Sequence, residues 1–469
     1  MRRLLHLAFA AWTFTVLTVW AKANVREFGA KGDGKTDDTA AIQKAIESGA
    51  AIFPKGTYRI TATIEIHLDQ TGPVSLSGEG TARIVMTGPG PAIRLVGTHA
   101  GSAAPSTFQP GVWLQQRSPH IRGIEFTAEH SEADAIEAKG TMQLTVTDCI
   151  IHQVRHGIHL IGLNRNVLVS ACHVYANTGC GIFLDHVNLH QINVIGCHIS
   201  YNGGGGVVTR GGAVRNLHIG TCDIESNMTS QSPDTANVLI DCREGNAGEV
   251  AITGCTLQHN SKSPGSANIR FIGAGLTSTK DLTPTKEGNL TITGNVFSDV
   301  MVNVHLQDVR GATITGNTFW EGFEHDLLLE RCQAVVVGPN DFDRNPRYIV
   351  NGNWGKEQNG IVLSECEDSK LEGLLVKGVW RKPAAVLLEK CKRTTVQNVS
   401  IFDSDGIGLL LRGCERCVVS GCVIRDDREE KNPGPSLRVE GGKENWIRDN
   451  WLANGSAGLS EDERARNRE

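Results

Sequence analysis

Four short segments decide the reading: LTVTDCII (144–151), VLVSACHV (167–174), INVIGCHI (192–199) and LHIGTCDI (217–224). Each joins an alternating run of apolar, mostly β-branched residues to a tight turn carrying Cys and a second short apolar run. Alternation at period two marks a half-buried strand. The unit continues as VAITGCTL (250–257), LTITGNVF (290–297), ATITGNTF (312–319), CVVSGCVI (417–424) and ENWIRDNWL (444–452). It therefore recurs about every 22–35 residues over most of the chain.

A third run follows each unit. The runs include GIHLIG (157–162), GIFLDH (181–186), GVVTRG (206–211), NVLIDC (237–242), NIRFIG (268–273) and NVHLQD (303–308), and they continue to SLRVEG (436–441). Alternation turns Ile158 and Leu160, Ile182 and Leu184, Val238 and Ile240, and Val304 and Leu306 inward. Three short strands and three turns per repeat, about twelve times over, predict an all-β parallel β-helix in which each coil buries the apolar edge of the last. With coils about 4.8 Å apart, the rod would be on the order of 60 Å long.

Composition fits this picture. A length of 469 residues exceeds the roughly 250–300 at which one core stops growing, so two domains or a solenoid are required. The repeat selects the solenoid. The 53 Gly follow no G-X-Y period and mark coil turns rather than collagen. A net charge of −5 with no basic block argues against a nucleic-acid partner. The 13 Cys are odd in number, so at least one thiol is unpaired. Cys149, Cys172, Cys197, Cys222 and Cys255 share a turn site with Asn295 and Asn317. Cys332, Cys366, Cys391 and Cys414 form a second column. Stacked thiols acting as small apolar groups and bridges between neighbours such as Cys391–Cys414 are both open.

Residues 1–23 read as a secretory signal: Arg2 and Arg3, an apolar stretch over 4–20, then Ala21-Lys22-Ala23. An uncleaved anchor is the alternative. The β-helix domain is expected over 24–456, with a polar, disordered tail over 457–469. Secretion or a periplasmic location follows.

The N-terminal stretch VREFGAKGDGKTDDTAAIQKAI (25–46), with IFPKGTYRI (52–60) and LSGEG (76–80), resembles the opening of the rhamnogalacturonase/pectate-lyase-like superfamily of right-handed β-helix proteins. The resemblance implies a single-stranded right-handed parallel β-helix over nearly the whole mature chain, closed by a helix at about 38–47 that Asp37 N-caps. It fixes no single reaction, because the family contains hydrolases, lyases, transferases, epimerases and phage tail spikes. Asp33, Asp37 and Asp38 read as turn and cap residues, since their spacing does not match a calcium-binding EF-hand loop.

The resemblance also implies a substrate lying along one sheet. The third-run sheet is the candidate, because insertions at 227–235, 274–287, 344–358 and 426–435 flank it. Its outward positions are His159, Phe183 and Asp185, Val208 and Arg210, Leu239 and Asp241, Arg270, then His305 and Gln307. Asp185, Arg210 and Asp241 occupy equivalent places on three successive coils, and His186, Arg243 and Glu244 follow at the next turn. His152, His156, His159, His173, His186, His190 and His198 crowd the same coils.

The functional reading makes Asp185 and Asp241 a carboxylate pair two coils, about 9–10 Å, apart. Inverting glycosidases hold their carboxyls roughly 6.5–9.5 Å apart and retaining ones about 5–5.5 Å, so inversion is favoured. Arg210 would keep one carboxylate ionised or bind an anionic sugar, and His186 would join the catalytic set. His156, His159, Phe183, Arg243, Glu244 and Arg270 would bind substrate. The competing reading is a solvated charge ladder. Phe183-Leu184-Asp185-His186 is similar to the W-I-D-H of pectate lyases, while the G-H-G and R-I-K of polygalacturonases are absent. Tyr348, Trp354, Trp320 and Trp380 are further aromatic candidates.

No metal site and no cofactor are expected, with calcium left open. Three functions remain: a polysaccharide glycoside hydrolase, a lyase or epimerase on a uronic-acid polymer, and a non-catalytic carbohydrate-binding or surface protein. The expected partner is a polysaccharide or oligosaccharide, with no nucleic acid and no membrane after signal cleavage. The oligomeric state is unassigned.

Overall fold

Three parallel sheets run along the chain, each built from one strand per coil. The first-run sheet stacks Thr145–Thr147 on 168–170, 193–195 and 218–220. The second stacks Ile150–His152, His173–Tyr175, His198–Ser200 and Asp223–Glu225. The third stacks 158–161, 182–185, 207–210 and 238–241. The result is a single-stranded right-handed parallel β-helix. The computed structural model describes residues 23–469 except 49, 102–104, 233–234, 275–276, 279–283, 286, 344, 346–355 and 430–433. Of the signal segment expected over 1–23, residues 1–22 lie outside the described residues, as do Tyr348 and Trp354. Among the described residues no helix is long and apolar enough to cross a membrane.

The inward residues named from alternation are all fully buried. Each such Val, Leu or Ile contributes about 1.5–3 kcal/mol by leaving water. That burial fixes register, because a slip of one residue would expose a whole row. The third and first runs are joined more tightly than expected. Strands Ile158–Ser170, Cys180–Ile195, Gly205–Gly220 and Ala236–Thr253 each pass through both sheets without a break.

Two ladders rigidify the turns. In the column expected from sequence, Asn317 Oδ1 accepts from Asn295 N, and Asn340 Oδ1 from Asn317 N, both at 2.9 Å. All 13 Cys are buried free thiols. Cys391 and Cys414 donate to the carbonyls of Leu363 and Leu388 at 3.3 Å, so the bridge between them is excluded and the stacked reading stands.

The second ladder was not expected from the sequence. Asn177, Asn202, Asn227, Asn237, Asn268 and Asn303 each donate from Nδ2 to the next side-chain oxygen, and the last acceptor is Asp326. Burial pushes the Asp326 carboxyl up to about 7. This ladder sits at the turn that leads into the third-run sheet, so it sets the height at which each site-bearing strand starts.

Both ends are closed. The N-terminal helix spans Thr39–Ile46 and buries Ile42, Ala45 and Ile46. Its N-cap position is Asp38 rather than Asp37. Asp38 is engaged instead with the Lys31 and Gly32 amides at 2.6 and 3.0 Å, while Asp37 accepts from Thr39 N at 3.1 Å. The expectation of a disordered tail is corrected. Helix Glu461–Ala465 begins with a Ser460/Glu463 capping box, Leu459 is buried, and Asn467 Oδ1 accepts from Asn450 N at 3.0 Å. The tail folds because it supplies the last rung of the asparagine column.

Candidate functional site

Strand register places Asp185 beside Arg210, and Arg210 beside Asp241. The two carboxylates have different surroundings. Asp241 is 4% exposed. Arg243, two residues on and therefore on the same face, binds it through Nε at 2.9 Å and Nη2 at 2.5 Å, and its backbone N–H adds a third bond at 3.1 Å. Burial opposes ionisation, but the Arg243 bonds outweigh it and hold the Asp241 carboxyl below the usual range.

Asp185 is the partly open member, with 30% of its side chain exposed. Oδ2 faces His159 Nε2 at 3.2 Å, and Oδ1 faces His186 Nδ1 at 2.7 Å. Burial again raises its pKa, and the two histidines more than reverse that. These surroundings bear on the expected pair. An inverting pair needs one protonated carboxyl, and both Asp185 and Asp241 are held ionised.

The contacts at Asp185 belong to a longer chain of alternating charge. His159 Nδ1 lies 3.2 Å from Asp134 Oδ2. With both ring nitrogens against carboxylate oxygens, a neutral imidazole would satisfy only one of them. Burial disfavours the imidazolium, yet Asp134 and Asp185 together raise the His159 pKa. Asp134 is fully buried. It accepts from Arg155 Nε and Nη2 at 2.8 and 2.9 Å and from the His156 amide at 3.0 Å. Despite the burial, the bonds from Arg155 and then His159 drive its pKa far down.

At the outer end His186 is 57% exposed, and its Nε2 lies 3.3 Å from Glu244 Oε2. Asp185 first, then Glu244, raises the His186 pKa. The sequence Asp134–His159–Asp185–His186–Glu244 thus runs from the buried floor to solvent. Arg210 is exposed beside it and makes no ion pair among the described residues.

Three expectations for substrate contact change. Phe183 is 7% exposed and sits in a buried cluster with Cys180, Val208, Ala236, Leu239 and Ala267. Its ring stacks on His159 at 5.2 Å, so it supports the relay from beneath rather than offering an open platform. Arg270 is 7% exposed and is spent on the Gly265 and Thr235 carbonyls, where it ties down the flanking loop. His156 is half-buried and accepts from the Cys180 amide through Nδ1 at 3.0 Å. Burial lowers its pKa to about 4, so it is a neutral wall of the site. Arg243, Glu244 and His186 remain at the surface.

The histidine crowding also divides. His152 stacks on Tyr175 and pairs with Glu125 on the second-run sheet, where His173 packs on His198. Sequence reasoning missed Asp134 and Arg155. The available signal was a lone acid between Ala133 and Ala135, just ahead of a third run.

Asp134, Glu137 and His159 hold ligand atoms within 4.8 Å of one another, a metal-like spacing. The donors do not fit a cation. Arg155 neutralises Asp134 in bidentate fashion, and Arg94 Nε sits 2.6 Å from Glu137 Oε1.

Comparison with known proteins agrees with the fold. Residues 22–116 match the family described as rhamnogalacturonase A/epimerase, pectate lyase-like, and residues 106–257 match the right handed beta helix region. The N-terminal stretch is therefore similar to the rhamnogalacturonase A/epimerase, pectate lyase-like family, and the coils that follow it to right-handed β-helix regions. Alginate lyase 7 of Azotobacter vinelandii is 54% identical over 44 residues, 8% of this chain and 5% of that protein. A probable glucan endo-1,3-beta-glucosidase of Arthroderma benhamiae is 39% identical over 69 residues, 14% and 7% respectively. The chain therefore spans only a small part of the length of these curated relatives. Among solved structures, tailspike protein 3 of bacteriophage CBA120 has a TM-score of 0.49 at 14% identity, covering 95% of this chain and 60% of that one. The A-module of an Azotobacter vinelandii mannuronan C-5 epimerase gives 0.41 at 14% identity, covering 93% and 96%.

Proposed function

We propose that the protein is an exported carbohydrate-active enzyme that moves a proton at a uronic acid unit of an acidic polysaccharide, as a lyase or epimerase. The observation that carries this reading is the relay from Asp134 to His186, which ends in an exposed histidine between two carboxylates. Abstraction of a proton α to a carboxylate needs a base of matched pKa and a positive group for the developing charge. In this reading His186 Nε2 takes the proton after substrate displaces the exposed Glu244, and Asp185 stabilises the imidazolium so formed. Arg210 neutralises the charge that develops on the substrate carboxylate. A lyase completes the step by expelling the glycosidic oxygen, which takes up a proton from solvent, and an epimerase by accepting a solvent proton on the face opposite His186. The names of the alginate lyase relative and of the matching epimerase-containing family support this class. A hydrolase is the second reading, favoured by the open, ionised Asp185 as base and by the glucosidase relative. Asp241 then serves to hold Arg243 rather than as an acid.

The test is a panel of acidic and neutral polysaccharides, followed by reducing ends, by ultraviolet absorbance of unsaturated uronates, and by deuterium uptake from heavy water. Reducing ends with absorbance identify a lyase, and deuterium uptake alone an epimerase. Reducing ends alone identify a hydrolase, and no change at all leaves a binding protein. Replacing the general base, His186→Ala, is expected to slow turnover about 10²–10⁴-fold. Wild-type turnover in that variant would remove His186 from the mechanism.

A further inference from the structure

The first-run face carries a second groove, away from the relay. One part, of about 500 Å³, is lined by Ser118, Gln143, Asn166, Gln191, Asn193 and Asn216 among others. An adjoining part, of about 560 Å³, shares Gln143 and Asn166 and adds Phe108, Pro110, Trp113 and Arg165. Ser118, Gln143, Asn166, Gln191 and Asn216 occupy the same left-handed turn position on successive coils. Such a position turns the backbone sharply and favours Asn, which holds two of the five. Their side chains therefore recur at the coil spacing of about 4.8 Å, comparable to the advance of a polysaccharide by one pyranose. The segment inserted before His120 forms one wall. It presents the Phe108 and Trp113 rings nearly parallel, 6.4 Å apart at 11°, with Trp113 38% exposed.

Charge narrows the ligand. Arg165 and Arg215 stand in register on either side of His190, immediately beside the amide row; burial and then Arg165 lower the His190 pKa, so the two arginines carry the charge. Arg165 and Arg117 lie over the Phe108 and Trp113 rings at 4.6 and 5.4 Å. Among the described residues, neither part of the groove is lined by an aspartate or glutamate. Rings offer flat faces for stacking, amides match hydroxyls, and arginine forks match carboxylates.

We infer that this groove is a second binding site for an acidic oligosaccharide or polysaccharide, separate from the reacting site. It holds the polymer by stacking at Trp113 and by amide contacts along the row to Asn216. It performs no chemistry, so its occupancy does not depend on the relay.

Electrophoresis through native gels containing polygalacturonate, alginate or neutral dextran tests it, with titration calorimetry for affinities. The acidic polymers should retard the wild-type protein and dextran should not. Trp113→Ala and Asn193→Glu should each weaken binding about tenfold, the size of a lost stacking contact, while turnover of short oligosaccharides stays at the wild-type level. Arg210→Ala, on the relay face, should leave this retardation in place. Two variants are used so that a folding defect in one, seen as a lowered melting temperature, does not decide the matter. Equal retardation by dextran, no retardation of the wild type, or wild-type affinity in both groove variants overturns the proposal. If the relay proposal fails instead, turnover is absent while the retardation and its loss in the variants persist.

Discussion

Asp134→Asn separates the charge logic of the relay from simple packing. The side chain is fully buried, bonded twice by Arg155, once by the His156 amide, and faced by His159. Asparagine keeps the shape but removes the charge and turns an NH₂ toward a donor. Breaking a buried ion pair on one side costs about 3–5 kcal/mol. Arg155 is 35% exposed and retains Glu132 at 2.9 Å, which places the loss near the low end, about 3 kcal/mol. Part of that belongs to His159, whose pKa is raised above 6.5. A raised pKa contributes stability that is full below 6.5 and is lost as pH climbs through the folded value. The Asp134 pKa is depressed, so its contribution is present above the usual 3.8 and is lost only as pH falls through the folded value. Between pH 6 and 9 Asp134 is therefore ionised throughout, and any change in the gap between variant and wild type reports His159 alone. Scanning calorimetry of both proteins should give a gap of about 3 kcal/mol at pH 6 that is smaller at pH 9, where the His159 contribution is lost. A gap equal at the two pH values refutes a His159 imidazolium held by Asp134.

Two further outcomes concern the scaffold. Asn202→Ala removes the acceptor of Asn177 Nδ2 and the donor to Asn227 Oδ1 and the Val174 carbonyl. At about 1–3 kcal/mol per buried group left unsatisfied, the loss should reach roughly 3–5 kcal/mol. It should show as a melting temperature well below that of Asn177→Ala, at the ladder's end, and equal temperatures would show that the ladder does not couple the coils. Ser460→Ala should cost about 1 kcal/mol and speed amide exchange over 461–468 without touching coils 150–260. Exchange that is unchanged there would mean the capping box does not hold the tail.

How far the sequence could be read follows from which contacts obey a period. Burial of Ile182, Leu184, Val238 and Ile240 fixes strand register, and register alone aligns Asp185, Arg210 and Asp241. Alternation therefore placed that row correctly. What each member touches depends on residues outside the period. Asp134 reaches His159 from the turn before the previous third run, and Glu244 reaches His186 from a turn two coils on. Phe183 is hidden by Cys180, Ala236 and Ala267, which stand at the very start of their strands, ahead of the alternating run. The asparagine ladder shows the same boundary within one feature. Asn177, Asn202 and Asn227 keep equal spacing, whereas Asn237 stands on the far side of the insertion that begins after Asn227, and the pattern dissolves in sequence while continuing in space. Asp241 is the instructive exception. Its partner Arg243 lies two residues on, where a strand returns to the same face, so that ion pair was readable from Asp241-Cys242-Arg243. Reading it removes Asp241 as an acid. The proposed function therefore rests on the histidine that Asp185 and Glu244 hold between them rather than on a carboxylate pair.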